Sequence, residues 1–170
     1  MWIQRDLFKF LQKDKGKRLP IKVLRGPRQV GKTTLLNHLK THKLILFDDL
    51  GIRRLAQENP NLFFDQFTGP LILDEATLAP EIFPELKRRV DEERRQHVET
   101  GRAVSIDIWI TGSNQTLLQK AVRESLAGRA NYYFLNTLSL HEWKTSFHRS
   151  YSLRIASCEG DGLNCILQLI

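Results

Sequence analysis

Two stretches of the chain carry residue types whose spacing suits chemistry. The first, Gly26-Pro27-Arg28-Gln29-Val30-Gly31-Lys32-Thr33, is a complete G-x-x-x-x-G-K-T sequence, followed at once by Thr34-Leu35-Leu36. Backbone N–H groups along such a loop turn inward and cradle phosphate oxygens. The start of a following helix adds to that positive field. Gly26 and Gly31 allow backbone that a side chain forbids and leave room for phosphate. Lys32 is placed to reach β- and γ-phosphates, and Thr33 to offer its hydroxyl to Mg²⁺. The second stretch is Leu71-Ile72-Leu73-Asp74-Glu75, an apolar strand ending in adjacent carboxylates. Alone, such a pair most often marks a cap or a surface acid. About forty residues after a phosphate loop it has another reading. Asp74 is then the candidate Mg²⁺ ligand, and Glu75 the candidate base that polarises an attacking water.

Both stretches need strands and helices to aim them. Residues 21–24 read as a strand that leads into the loop, and a helical stretch from Lys32 to about Leu39 leads out. A third strand, 105–111, ends in Thr111-Gly112-Ser113-Asn114. Lying between the other two, its tip offers Asn114 or Ser113 to the γ-phosphate or the water, the role called sensor 1. Either residue is equally suited to cap the helix expected over 115–126. That helix ends at Gly128, and Arg129 follows, before a strand over 132–135. Arg129 is the candidate arginine for charge on a transferring phosphoryl group, in its own subunit or a neighbour's. Arg123 competes for that role, and a surface pair between Arg129 and Glu124 is the plainer alternative.

The remaining segments read as support. Ile3, Leu7 and Leu11 define an N-terminal amphipathic helix over 2–12, and 13–18 is a basic loop. Residues 44–47, all apolar, read as a strand buried on both faces. Asp48 and Asp49 read as the cap of a helix over 52–58, with a contact to Mg²⁺ or ribose as the alternative. Asn59-Pro60 ends that helix, and Phe63, Phe64 and Phe67 read as core rather than a base-stacking platform. Leu86, Val90 and Val98 give a helix over 85–98 its apolar stripe, and its mixed charges read as a solvated, salt-bridged face. His38 and His42 lie one turn apart without a third metal ligand, so a solvated or capping role is expected. Ser139 and Glu142 fit a capping box.

With 170 residues the chain holds one domain. Its 41% hydrophobic and 26% charged residues are those of a soluble globular protein. A net charge of +7 and a pI near 9.6 permit polyanionic partners, and a nucleic-acid partner rests on that charge alone. Cys158 and Cys165 match no metal or redox spacing, which makes a reduced cytoplasmic setting the default. No apolar run approaches a membrane span, and the N-terminus lacks a signal-peptide profile.

Taken together, Ile3-x-Arg5-x-Leu7, the loop from Gly26 to Leu36, Leu73-Asp74-Glu75-Ala76, Ile82-Phe-Pro-Glu-Leu-Lys87, Thr111-Gly-Ser-Asn114, Ser125-Leu-Ala-Gly-Arg129 and Leu138-Ser-Leu-x-Glu142 stand in an order that resembles the prokaryotic AAA+-like P-loop ATPases. In that family an uncharacterised C-terminal domain usually follows the ATPase core. The resemblance covers residues 1–149. It implies an α/β three-layer fold with a parallel five-stranded sheet in the order 5-1-4-3-2. It also implies ATP as the nucleotide, with Mg²⁺ and hydrolysis; the residues alone do not choose ATP over GTP, since no base-reading motif such as Asn-Lys-x-Asp is present. Thr77 stands where such proteins often carry Gln. Residues 150–170 depart from the pattern, and truncation or a frameshift is the expectation for them. A core lacking the helical lid and second domain is expected to bind ATP weakly.

Three functions compete: an Mg²⁺-dependent ATPase, a nucleotide-gated interaction module with a protein partner or self-association, and a small-molecule kinase. Glu75 beside Asp74 argues against the kinase, which has no obvious use for a water-directed base.

Overall fold

The computed structural model describes residues 2–13 and 19–151. Expectations for the basic loop at 14–18 and for 152–170 lie outside the described residues. Five strands, β1 (Ile21–Arg25), β2 (Lys43–Leu46), β3 (Leu71–Asp74), β4 (Ile108–Thr111) and β5 (Ala130–Phe134), form one parallel sheet in the order β2-β3-β4-β1-β5. This is the expected 5-1-4-3-2 order read from the other edge.

Alternation along each strand builds two cores. Ile21, Val23, Ile45, Leu71, Leu73, Ile108 and Ile110 share one face. Helices α3 (Leu50–Glu58), α4 (Pro60–Gln66), α5 (Ile82–Thr100) and α6 (Gln115–Ser125) cover that face through Ala56, Phe63, Phe64, Phe83, Leu86, Val90, Leu118 and Val122. Leu24, Ile72 and Trp109 face the other way, under α1 (Asp6–Lys13) and α2 (Lys32–Asn37), which contribute Phe8, Leu11, Leu35 and Leu36. A last helix, α7 (Leu140–Tyr151), opens with the expected capping box: the Glu142 N–H donates to Ser139 Oγ, and the Ser139 N–H donates to Glu142 Oε2.

Several boundaries differ from the sequence expectation, each for a physical reason. The run 44–47 lies at the sheet edge, so only one of its sides has a neighbour; Lys43 and Leu46 are exposed, and Ile45 and Phe47 are buried. Asn59-Pro60 ends α3 and also starts α4: Asn59 Oδ1 accepts the Leu62 N–H, and Pro60 occupies the first turn, where it needs no donor. Asp49, as expected, caps α3 by accepting from Gly51 and Ile52. Strand β4 starts at Ile108 rather than Ser105, because the N–H groups of Ser105 and Ile106 donate to the Glu93 carboxylate on α5. Helix α5 runs on to a left-handed Gly101, yet Val98 on it is 84% exposed and lies off the apolar stripe. The charges of α5 do pair, Arg88 and Arg89 with Glu85, and Arg89 also with Asp65 of α4.

Beside the start of β4, Asp107 is shared by Lys22 of β1 and His42, whose Nε2 lies 3.0 Å from Asp107 Oδ1. His42 thus serves an ion-pair cluster, while His38 stacks on Trp2 at 3.6 Å between ring centroids. Among the described residues no three His, Cys, Asp or Glu side chains converge to hold a metal. Burial alone would push the Asp107 carboxyl up, but hydrogen bonds and charge from His42 and Lys22 outweigh it and hold it at about 2. A carboxyl lowered on folding contributes stability above its unfolded value of about 3.9 and loses it as pH falls through the folded one. The side chain is 38% exposed, so solvent screening leaves a contribution of about 1 kcal/mol. Asp107→Asn is expected to lower the unfolding free energy measured by urea titration at neutral pH by that much, with the gap to wild type narrowing from about pH 5 towards pH 2. A gap of constant size across that range would contradict this assignment.

Candidate nucleotide-binding site

The phosphate loop spans the turn from β1 to α2. Its backbone is left-handed at three places, with φ 150° at Gly26, 61° at Gln29 and 88° at Gly31. A Cβ on Gly26 would stand 2.2 Å from the Leu135 carbonyl oxygen at the end of β5, so the close approach of two chain segments requires glycine there. Helix α2 is short and begins at Lys32, leaving the first-turn N–H groups at the mouth of the loop.

The loop, the end of β3 and the end of β4 enclose a cavity of about 420 Å³ whose lining includes Lys32, Thr33, Asp74, Glu75, Thr111 and Ser113. Arg28, Gln29, Gly31 and Thr34 border it too. Lys32 Nζ donates to the carbonyls of Gly26 (3.1 Å) and Pro27 (2.8 Å), which hold the ammonium against its own loop. Burial lowers the Lys32 pKa, opposed by the charges of Glu75 and Asp74. The Thr33 hydroxyl lies 3.0 Å from both Asp74 oxygens. Glu75 takes a left-handed φ of 54° just past β3, and its Oε2 accepts the Ser113 N–H at 2.8 Å. A left-handed residue other than glycine stores strain, which here turns the carboxylate towards the tip of β4.

Of the residues singled out by sequence, the structure therefore gathers Gly31, Lys32, Thr33, Asp74 and Glu75 in one cavity. Asn114 stands at its margin, exposed, with Oδ1 accepting from Leu117 N–H as the cap of α6. Ser113 contributes its backbone N–H. Arg129 is not brought to the site. It precedes the first residue of β5, whose Ala130 pairs with Ile21 at the start of β1, so it sits at the opposite end of the sheet from the loop. There it forms two hydrogen bonds to Asp91 of α5, at 2.6 and 2.9 Å, rather than pairing with Glu124. A parallel strand of five residues spans roughly 16 Å, which puts Arg129 out of reach of its own phosphate loop. Arg123, in the last turn of α6, does not line the cavity either.

Thr111 was missed. It is fully buried at the end of β4, and its hydroxyl donates to Asp74 Oδ1 at 2.8 Å. Its signal was a hydroxyl closing an otherwise apolar strand. A second cavity, of about 470 Å³ between α4 and α5, has its arginines Arg88 and Arg89 already paired with Glu85 and Asp65.

A family model described as an AAA domain (AAA_14) matches residues 18–144, well over half of the chain. The chain belongs to this AAA domain family. Two curated relatives, the uncharacterized proteins Rv2008c of Mycobacterium tuberculosis and Mb2031c of Mycobacterium bovis, are each 33% identical over 129 residues. The match takes in 74% of this chain and 27% of theirs, so the chain spans about a quarter of the length of these relatives. Among solved structures, the Walker-type ATPase PABY2304 of Pyrococcus abyssi superposes with a TM-score of 0.57 at 15% identity, over 89% of this chain and 59% of that one. That likeness shows the shared fold. Among the described residues of this AAA domain, no helix is long and apolar enough to cross a membrane.

In an AAA domain so built, Gly26→Ala adds a methyl group against a backbone carbonyl that cannot move aside. Displacement of the loop from β5 is expected, with a fall in melting temperature of several degrees, corresponding to about 1–3 kcal/mol. A melting temperature equal to that of wild type would contradict the packing described.

Proposed function

We propose that the chain binds ATP with Mg²⁺ and hydrolyses it to ADP and phosphate, in a cytoplasmic setting. The observation that carries this reading is the meeting of Lys32, Thr33, Asp74 and Glu75 around one cavity beside the loop. Loop N–H groups and the Lys32 ammonium supply donors for phosphate oxygens. Thr33 and Asp74 are hard oxygen donors of the kind Mg²⁺ prefers, and they are too few to hold it without phosphate oxygens and water. When bound, the ion would neutralise charge on the phosphate oxygens.

The remaining work falls to the chain's own residues. Glu75 stands one residue beyond Asp74, so its carboxylate is available to accept a proton from a water in line with the β–γ bond. The Ser113 N–H holds that carboxylate in place. Asn114 keeps the tip of β4 in register by capping α6, and a contact from it to phosphate needs its side chain to leave Leu117. Any arginine acting on the γ-phosphate from position 129 belongs to a neighbouring subunit in this scheme.

Phosphate release by wild type and Glu75→Gln tests the proposal. Turnover is expected to fall by about 10²-fold or more in the variant while nucleotide affinity stays within a few-fold. Equal turnover in the two proteins would overturn the role of Glu75. Lys32→Ala is expected to abolish binding, read by calorimetry with ADP.

A further inference from the structure

Arg5 lies outside the cavity and is only 6% exposed. Its guanidinium spreads over four acceptors. Nε donates to Glu142 Oε1 (3.1 Å), Nη1 to the Val30 carbonyl (3.1 Å), and Nη2 to the carbonyls of Asn136 (2.6 Å) and Thr137 (3.3 Å). Glu142 is equally buried and also accepts the N–H groups of Asp6 and Ser139, both at 2.9 Å. One ion pair thus joins the start of α1, the phosphate loop and the β5–α7 junction.

The contact to Val30 bears on the nucleotide. The Val30 carbonyl and the Gly31 N–H belong to the same peptide unit, and no peptide bond among the described residues is cis. In a trans peptide the C=O and N–H point in opposite directions. A carbonyl drawn back towards the Arg5 guanidinium therefore turns the Gly31 N–H the other way, and Gly31 lines the cavity. The loop is anchored at both ends to one stretch of chain: Gly26 packs on Leu135, and Val30 is tied through Arg5 to Asn136 and Thr137. We propose that Arg5, braced by Glu142, is a positioning residue for nucleotide phosphate that fixes the Val30–Gly31 peptide with its N–H facing the phosphate site. This rests on the nucleotide reading above. A lysine ammonium reaches Glu142 or Val30 but lacks the planar fork that spans both.

The test uses the full chain, with Mg-ADP affinity measured by calorimetry beside a thermal melt. Arg5→Lys keeps the charge that pairs with Glu142. It is expected to melt within a few degrees of wild type while ADP affinity falls roughly tenfold. Arg5→Met alone leaves a buried carboxylate unpaired and is expected to unfold the chain, so the second variant combines Arg5→Met with Glu142→Gln, which keeps an acceptor for the Asp6 N–H. It should fold and show the same loss of affinity, with faster hydrogen exchange at the Gly31 amide. Wild-type ADP affinity in either folded variant overturns the proposal. So does a loss of affinity that only tracks melting temperature. A wild-type chain that itself fails to bind ADP is a distinct result, overturning the nucleotide reading and this inference with it.

Discussion

The Asp74 carboxylate is the point on which the site depends. It accepts the Thr33 hydroxyl from the first turn of α2 and the Thr111 hydroxyl from the end of β4. Strand β4 lies between β1 and β3, so Asp74 reaches the phosphate loop across the tip of its neighbour. Thr111 occupies that tip, buried and in hydrogen-bond contact. Hydrogen bonds to a charged acceptor are worth about 1.5–3 kcal/mol each, and leaving a buried hydroxyl unmet costs a comparable amount. The three side chains therefore hold the ends of β3 and β4 and the start of α2 in fixed relative positions around the cavity.

The two ends of the sheet do different work. At the C-terminal ends of the strands, side chains converge on open space, as parallel α/β sheets commonly arrange for ligands. At the other end, the polar side chains are engaged by partners: Lys22 and His42 by Asp107, and Arg129 by Asp91. This division decides between residues that look alike in sequence. Arg129 and Lys32 are both basic residues next to a glycine, but only Lys32 follows a strand rather than preceding one.

Much of this was legible because it rests on local pattern. The glycine spacing of the loop, the apolar strand ending in Asp74-Glu75 and the capping pair Ser139–Glu142 each declare their structure within a few residues. What was not legible depends on distant partners. The edge position of β2 came with the strand order that the resemblance implied, while its four apolar residues by themselves read as a strand buried on both faces. The shortening of β4 follows from Glu93, twelve residues from Ser105 in sequence and on another element. The pairing of Arg129 with Asp91 crosses 38 positions, and that of Arg5 with Glu142 crosses 137. Asn59-Pro60 illustrates a different limit, since the residues that stop a helix are also those that start one.

On the proposed reading, Thr33 and Asp74, beside the phosphate loop, form a metal-assisted nucleotide site. Calorimetric titration of the chain with ADP, once with Mg²⁺ and once with the metal chelated, tests it most directly. Binding is expected to tighten when Mg²⁺ is present and to lose that gain in Asp74→Asn. Binding of equal strength with and without the metal, or a gain that survives Asp74→Asn, would contradict it.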